Sequence, residues 1–278
     1  MSEPLIHGHW DHGYESDLNR IDRAATETTG ALTWDSTRVA GLGCDGDATR
    51  GRILLDLPTL EVTWPAERTD RLPMMGLDAD LIAYYDAEAR AGLRIEHAPM
   101  RVTLRQRFTE QLQHEQRHHL VDVGAGPGLD TIEFHTDGFD IVGVDLAPAN
   151  AEAMHEHGLA GVAGSLYALP FPAATFDALW TMSTFVHIPH DRFDEAITEL
   201  LRVVTPGAPL AIGTWGGRDF EGIPEFGELR PYRFFSLASH DRWRTMLEHH
   251  GHLEHFETFP PTQPSGWEYQ YAILRAEC

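Results

Sequence analysis

The chain of 278 residues has only two cysteines, no lysine and no long uninterrupted run of apolar residues. Cys44 and Cys278 lie far apart in the sequence, which argues against a disulfide framework and against a cysteine metal site. No apolar run is long enough to span a bilayer, and the chain does not start with the positively charged and apolar pattern of a secretory leader. We therefore expect a cytoplasmic protein that binds no membrane.

Basic residues are scarce beside acidic ones. All 21 basic residues are arginine, against 43 aspartates and glutamates, which gives a formal net charge of −22 at pH 7. Phosphate binding needs a basic surface, so this charge argues against a nucleic acid as substrate or partner. The hydrophobic content of 42% supports a sizeable core, and the length is long for one compact domain and short for two large ones.

The most informative stretch runs from His118 to Asp145. An apolar run, Leu120 to Val123, precedes a glycine-rich turn, a segment that can start a helix, and a second apolar run that ends in Asp145. This order predicts a βαβ nucleotide-binding unit. Glycine lets the backbone turn sharply and approach a ligand closely, because it has no Cβ. The glycines at alternate positions are Gly124, Gly126 and Gly128.

The glycine spacing helps to separate two ligand classes. A dinucleotide fingerprint has its third glycine three residues after the second, where this chain has Leu129. Asp122 lies two residues before the first glycine, and its carboxylate suits a ligand with an ammonium group better than a pyrophosphate. S-adenosylmethionine is such a ligand. Asp145, at the end of the second strand, is placed to accept hydrogen bonds from ribose hydroxyls.

Four ordered motifs resemble those of class I S-adenosylmethionine-dependent methyltransferases of the small-molecule branch. VDVGAGPG and VGVDLAPA are similar to the first two motifs, GSLYALPFPAATFDALWTMSTFVHIP to the third and fourth, and ELLRVVTPGAPLAIGTW to the helix, turn and strand that follow. The resemblance covers about residues 120–215. It implies an α/β, Rossmann-like, doubly wound sheet of seven strands with an antiparallel last strand. It also implies methyl transfer to an oxygen, nitrogen or carbon atom of a small molecule, such as a secondary metabolite.

The resemblance also implies roles for individual residues. Asp122 and the glycine turn would hold the methionine end of the cofactor, and Asp145 would hold the ribose. Ser165 stands where the family commonly has an acid that accepts a hydrogen bond from the adenine amino group, and a hydroxyl accepts such a bond more weakly. The predicted cofactor-binding residues are Asp122, Gly124, Ala125, Gly126, Gly128, Asp145, Leu146, Ser165, Leu166, Thr181 and Met182.

Fewer residues are predicted to contact the methyl acceptor than to bind the cofactor. His187 follows the fourth predicted strand, where α/β sheets bind their ligands, and an imidazole can take a proton near neutral pH, so His187 is the candidate base. A helix with Asp78 as N-cap is similar to the N-terminal helix that covers the donor in this family, which makes Tyr84 or Tyr85 candidate pocket residues. An ordinary amphipathic helix that places one of these tyrosines in the protein core is an equally good interpretation.

Two further segments have open interpretations. The aromatic-rich segment 215–236 is long for a connection, which predicts a substrate cap that includes Trp215. For Phe234 and Phe235 within it, packing against the next helix is the preferred interpretation. The helix predicted at residues 100–112 carries Arg101, Arg105 and Arg107; one of them could bind a carboxylate, although a solvated basic face is the preferred interpretation.

The first 77 residues are the least informative part. We interpret residues 1–77 as an N-terminal extension or small subdomain of mixed short elements, and residues 78–278 as the domain that binds S-adenosylmethionine. The segment HGHWDHG, with His7, His9 and His12, matches a zinc-binding pattern of metallo-β-lactamase-like hydrolases. The later ligands of that pattern have no counterparts here, so we prefer a histidine-rich terminus without metal.

Two other functions remain compatible with the sequence. A non-catalytic protein could keep the fold and bind S-adenosylmethionine, because Ser165 replaces the usual acid and no base with a partner is evident. A nicotinamide-dependent oxidoreductase would use a similar βαβ unit, but Leu129 and Asp122 disfavour it. We expect a small-molecule substrate, and a homodimer is compatible with the sequence.

Overall fold

The computed structural model describes residues 75–94, 98–224, 229–261 and 266–277. The elements predicted before residue 75 and the cluster of His7, His9 and His12 lie outside the described residues. The division between residues 1–77 and 78–278 therefore stays a prediction.

Most strands of the described residues belong to one sheet of seven strands in the order β3-β2-β1-β4-β5-β9-β8. The five strands β1 to β5 are parallel, and β9 is antiparallel to both β5 and β8. The predicted α/β, doubly wound fold with an antiparallel last strand is confirmed. The strands are β1 His119–Val123, β2 Asp140–Asp145, β3 Ala160–Ala163, β4 Ala178–Met182, β5 Pro209–Gly216, β6 Phe220–Gly222, β7 Phe235–Leu237, β8 His252–Phe259 and β9 Glu268–Arg275.

Among the described residues, helices and strands alternate from residue 99 to residue 163, and two helices precede the first strand. Two single-turn 3₁₀ helices, Phe185–His187 and His190–Arg192, follow β4. The structure describes no helix that is both long and apolar enough to cross a membrane. The α-helices are α1 Met75–Arg90, α2 Pro99–His114, α3 Leu129–Thr136, α4 Pro148–Glu156, α5 Phe193–Val203 and α6 His240–Glu248.

The core lies between the sheet and the helices that cover it. All five residues of β4 are buried, as expected for a parallel strand covered on both faces. Trp180 of β4 contacts Phe108 of α2 and Phe134 of α3, with ring centroids 5.6 and 5.4 Å apart. Its indole N–H donates to the buried carboxylate of Asp130 over 2.9 Å. A hydrogen bond thereby joins the Asp130 carboxylate, in the first turn of α3, to the central strand β4.

One prediction about local structure needs correction, and one pair of strands was not predicted. The first helix begins at Met75, so Asp78 lies in its first turn and is not its N-cap. An acid in that turn interacts favourably with the positive end of the helix dipole. The segment 215–236 contains β6 and the first two residues of β7. These two strands pair in an antiparallel manner, which was not predicted. Each of these strands has three residues, too few for an alternating pattern to be recognised.

Candidate functional site

A cavity of about 770 Å³ opens at the carboxyl ends of the parallel strands. Val123 of β1, Asp145 of β2, Met182 of β4 and Trp215 of β5 all contribute to its wall. This edge of a parallel sheet is where α/β proteins bind their ligands, and the volume suits a molecule of drug size. The structure therefore brings the carboxyl-terminal ends of four strands to one ligand-sized chamber.

The glycine turn after β1 borders this cavity and closes against β2. The backbone N–H groups of Gly124 and Ala125 donate to the carbonyl of Val144, over 2.7 and 3.0 Å. Gly124 lines the cavity, whereas Ala125, Gly126 and Gly128 are not part of its wall. Gly128 has φ of +91°, and a Cβ there would lie 2.7 Å from Cγ of Met154 in α4. Gly128 thus serves close packing.

Asp145 combines a structural role with a place in the cavity wall. Its Oδ2 accepts a hydrogen bond from the N–H of Gly126 over 2.8 Å. Its Oδ1 accepts from the N–H of Ala147 and from Nδ2 of Asn150, over 2.9 and 3.0 Å. Each carboxylate oxygen can accept about two hydrogen bonds, so Oδ2 keeps capacity for a ligand hydroxyl.

Asp122 is the last but one residue of β1, fully buried and outside the cavity wall. Its Oδ2 accepts from the hydroxyl of Thr131 over 2.8 Å, but its Oδ1 has no partner. Burial, followed by the neighbouring charge of Asp130, raises the pKa of Asp122 above its ordinary value. A buried oxygen without a partner is costly, and a nearby ammonium group would offset that cost. The chemistry of this position fits a cationic ligand group.

The other residues predicted at the cofactor divide into two groups. Leu146, Ser165, Leu166 and Met182 line the cavity. Thr181 does not; its side chain is buried and its hydroxyl has no hydrogen-bond partner.

The wall beside Ser165 contains two residues that the sequence interpretation did not assign to the site. Tyr167 donates its backbone N–H to the Ser165 hydroxyl over 3.3 Å and also lines the cavity. Asp78 of α1 also lines the cavity, and its charge acts on Tyr167. Burial raises the pKa of Asp78, while the positive charge of Arg192 opposes that rise. The helix pattern gave no indication that Asp78 lies near the motif of Ser165.

The predicted candidate base, His187, is held between two partners. Its Nδ1 lies 2.7 Å from the backbone carbonyl of Phe234, and its Nε2 lies 2.7 Å from the Tyr85 hydroxyl. A carbonyl only accepts, so Nδ1 carries the proton and the neutral Nε2 accepts from Tyr85. Burial lowers the pKa of His187 to about 3; the bond to Phe234 opposes this shift and the charge of Arg233 adds to it. At neutral pH the imidazole is uncharged.

The two candidate tyrosines have different places. Tyr85 lines the cavity, whereas Tyr84 is buried behind it with the two ring centroids 5.3 Å apart. Of the two interpretations of this helix, pocket contact therefore applies to Tyr85 and core packing to Tyr84.

The predicted cap segment contributes Trp215 and Phe235 to the cavity wall. The Trp215 ring lies 5.0 Å from that of Tyr269 in β9. Phe235 lies 5.1 Å from the Trp267 ring and 5.0 Å from the His187 ring. As part of β7, Phe235 packs against the short 3₁₀ helix after β4 and against Trp267, just before β9. That Phe234 and Phe235 pack against the next helix stays a prediction.

Three arginines also line the cavity, and the sequence indicated only one of them. Arg101, the indicated one, is paired with Asp130 at 2.6 Å, so it already holds a carboxylate of the protein. Arg94 is paired with Glu88 at 2.9 Å. Arg233 donates to the Tyr85 hydroxyl over 2.8 Å. Arg233 follows His187 by 46 positions with no motif around it, so no sequence signal identified it.

Metal-ligating side chains do not cluster in the described part of the chain. No group of three or more His, Cys, Asp or Glu side chains is arranged there to hold a metal ion.

Residues 121–212 match a family model described as a methyltransferase domain. The probable chloroplastic tocopherol O-methyltransferase of Oryza sativa subsp. japonica is 34% identical over 121 residues, which cover 40% of this chain and 32% of that protein. The 2-methyl-6-phytyl-1,4-hydroquinone methyltransferase of Synechocystis sp. is 32% identical over 113 residues, which cover 38% and 34%. The chain thus spans about a third of the length of these curated relatives.

Two solved structures have a similar fold. A protein of Pyrococcus horikoshii OT3 superposes with a TM-score of 0.52 at 14% identity and covers 66% of this chain and 93% of its own. A structure described as a SAM-dependent methyltransferase of Methanosarcina mazei gives a TM-score of 0.50 at 17% identity, with 58% and 94% covered. At these identities the likeness concerns the fold alone.

Proposed function

We propose that the protein is a class I S-adenosylmethionine-dependent methyltransferase, which transfers a methyl group from S-adenosylmethionine to a small molecule. The match of residues 121–212 to a methyltransferase-domain model supports this proposal. One observation carries this proposal: the cavity wall contains Gly124 of the glycine turn, Asp145 at the end of β2, and a group of aromatic side chains. The first two suit the donor, and the third suits an apolar or aromatic acceptor.

Different residues around the cavity would bind different parts of S-adenosylmethionine. Asp122 and the turn at Gly124 would hold the methionine end, and Asp145 would accept from the ribose. Ser165, Leu166, Asp78 and Tyr167 would surround the adenine, with the Asp78 carboxyl supplying the acid that Ser165 lacks. Met182, at the end of β4, would flank the sulfonium, whereas its neighbour Thr181 lies outside the cavity wall. We propose residues 78–278, with α1 extended to Met75, as the domain that performs this task.

The donor's sulfonium group supplies an already activated methyl group, so the protein mainly has to position the acceptor and exclude water. Trp215, Phe235 and Tyr269 give the acceptor side an apolar wall that suits this purpose. His187 stays our candidate for contact with the acceptor. Its low pKa and its bond to Tyr85 argue that it orients Tyr85 more readily than it takes up a proton.

The first experiment is calorimetric titration of the full chain with S-adenosylmethionine, with NADH and NADPH as controls. Binding of S-adenosylmethionine alone with a Kd near 1 μM, about −8 kcal/mol, supports the proposal. Binding of a nicotinamide cofactor alone would contradict it. Turnover with a panel of phenols, amines and carboxylic acids then separates an enzyme from a non-catalytic binder.

We also propose that the protein works in the cytoplasm and uses neither nucleic acid nor membrane. The net charge of −22 and the two widely separated cysteines support these points. A homodimer stays a prediction, which light scattering of the full chain tests.

A further inference from the structure

Arg233 is a cation in the acceptor part of the cavity wall. Its guanidinium carbon lies 4.0 Å from the ring centroid of Tyr84, 5.4 Å from that of Tyr85 and 5.1 Å from that of Phe235. One of its N–H groups donates to the Tyr85 hydroxyl over 2.8 Å. A guanidinium has five N–H donors, and within the described residues the Tyr85 hydroxyl is the acceptor that the structure gives to Arg233.

Arg233 differs from the other cavity arginines in its partners. Arg94 and Arg101 are each paired with a carboxylate, Glu88 and Asp130. Within the described residues, no Asp or Glu oxygen lies within 4 Å of the Arg233 guanidinium. A half-buried cation without a counter-ion is unfavourable, and an anionic ligand group would stabilise it strongly in these apolar surroundings.

The groups next to Arg233 do not balance its charge. His187 is uncharged, and its Nε2 already accepts from the Tyr85 hydroxyl, which in turn accepts from Arg233. These three side chains form a chain of hydrogen bonds that ends at the Phe234 carbonyl. Because Arg233 donates to Tyr85 and Tyr85 donates to His187, the orientation of the Tyr85 hydroxyl is fixed. The positive charge stays on Arg233. Arg94 adds a second positive charge to the environment of His187.

From this arrangement we infer that Arg233 binds an acidic oxygen of the methyl acceptor in its anionic form, as a phenolate, an enolate or a carboxylate. The inference rests on the proposed function, because it names the substrate class of the same cavity. The acceptor loses its proton to solvent before or during binding. Its oxygen then forms the bond to the methyl carbon while the sulfur–methyl bond breaks and sulfur keeps the electron pair, so a neutral methyl ether or ester results. No strong base is needed in the cavity.

The test uses spectroscopic and calorimetric binding of simple probes to the full chain with S-adenosylhomocysteine present. The probes are 4-nitrophenol, whose phenolate absorbs visible light, benzoate, and neutral nitrobenzene. We expect the wild type to bind one or both anions, to prefer them to nitrobenzene, and to ionise bound 4-nitrophenol at a lower pH than free 4-nitrophenol. Binding of 4-nitrophenolate alone identifies an acidic hydroxyl, and binding of benzoate alone identifies a carboxylic acid.

The decisive variant is Arg233→Gln, with Arg107→Gln as the matched control. Arg107 is an exposed arginine outside the cavity wall, paired with Glu257 at 2.8 Å. Arg233→Gln should weaken anion binding by about tenfold or more and leave nitrobenzene binding unchanged. Arg233→Lys should restore part of the affinity, because it keeps the charge without the planar fork. Arg107→Gln should behave like the wild type.

Two results would overturn the inference. One is a wild type that prefers nitrobenzene to both anions or binds none of the probes; the other is an Arg233→Gln protein with unchanged anion affinity. A separate measurement of S-adenosylmethionine binding distinguishes a failure of the anion inference from a failure of the methyltransferase proposal. If that cofactor does not bind but the anions bind through Arg233, the methyltransferase proposal fails and the anion site stands. If the cofactor binds and the anions do not, only the substrate class is wrong.

Discussion

At the scale of single residues, Gly128 and Gly138 share a backbone conformation but not their surroundings. Their φ angles are +91° and +92°. A Cβ at Gly128 would lie 2.7 Å from Met154 and 3.1 Å from Leu159, whereas a Cβ at Gly138 would meet nothing within 4 Å. The pair therefore separates the effect of left-handed backbone from the effect of crowding.

We expect Gly138→Ala to lower the free energy of unfolding by about 1–2 kcal/mol, the cost of a side chain in left-handed backbone. Gly128→Ala should lower it by about 1–3 kcal/mol more, because the methyl group also displaces packed side chains. Urea unfolding of both variants measures the difference. Equal losses would show that α4 moves away freely and that Gly128 serves only the turn.

Asp145 gives a prediction about binding. Asp145→Asn removes the charge and places an amide N–H₂ among groups that mostly donate, so we expect the affinity for S-adenosylmethionine to fall by about tenfold or more. Asp140→Asn, in the half-exposed first residue of β2, is the control and should bind normally. Calorimetric titration measures both. An unchanged affinity in a folded Asp145→Asn protein would remove Asp145 from the proposed ribose contact.

Local motifs allowed the cofactor side to be predicted in part. The glycine turn and Asp145 are adjacent in sequence to the strands that place them, so their positions follow from one βαβ unit. Arg233 and Asp78 reach the cavity from distant segments, and only tertiary packing brings them to the motif residues. The choice between Tyr84 and Tyr85 depended on the rotation of α1, which a helix with a weak apolar face does not define.

At the scale of elements, an ionic network connects the end of α2 to the last two strands. Arg275 of β9 pairs with Glu115 at 2.8 Å and also with Glu254 of β8. Arg117 pairs with the same Glu115 carboxylate at 3.3 Å. Burial raises the pKa of Glu115, but the hydrogen bonds from Arg275 and Gln111 and the charges of Arg275 and Arg117 outweigh it and lower the pKa to about 2.

A lowered pKa means that the folded protein favours the ionised carboxylate of Glu115. The resulting stability is therefore present above about pH 4.5 and is lost as the pH falls towards 2. We expect Glu115→Gln to lower the free energy of unfolding at pH 7 by about 1 kcal/mol, since the group is partly exposed. The difference from wild type should shrink between pH 4.5 and pH 2. Denaturant unfolding at several pH values measures it, and a difference independent of pH would contradict the role of the charge.

Elements with strong patterns were predicted to within a few residues. The strand β1 and the end of β2 match apolar runs bounded by turn residues, and α2 extends the predicted helix 100–112 by one residue at its start and two at its end. The pair β6–β7 escaped prediction because its strands are short and separated by a long segment. Its pairing depends on Phe235 and Leu237 packing with Val186 and Trp267, a contact between distant parts of the chain.

At the scale of the whole molecule, the net charge of −22 produces mutual repulsion that opposes the compact state. Salt shortens the range of this repulsion, from about 30 Å at 0.01 M to about 8 Å at 0.15 M. We expect the Tm to rise by a few degrees when sodium chloride is raised over this range. Differential scanning calorimetry measures it, and choline chloride should give the same result if screening is the cause. A falling Tm would mean that ion pairs, not repulsion, dominate.

The strand order has a consequence for synthesis of the protein on the ribosome. β9 lies between β5 and β8 and pairs with both, although it follows them in the sequence. While β9 is still inside the exit tunnel, β5 exposes an unpaired edge and β8 has no neighbour on the sheet. Unpaired edges attract strands of other chains. Arrested nascent chains in which β9 is missing or still inside the tunnel should therefore associate with chaperones far more than chains from which β9 has emerged.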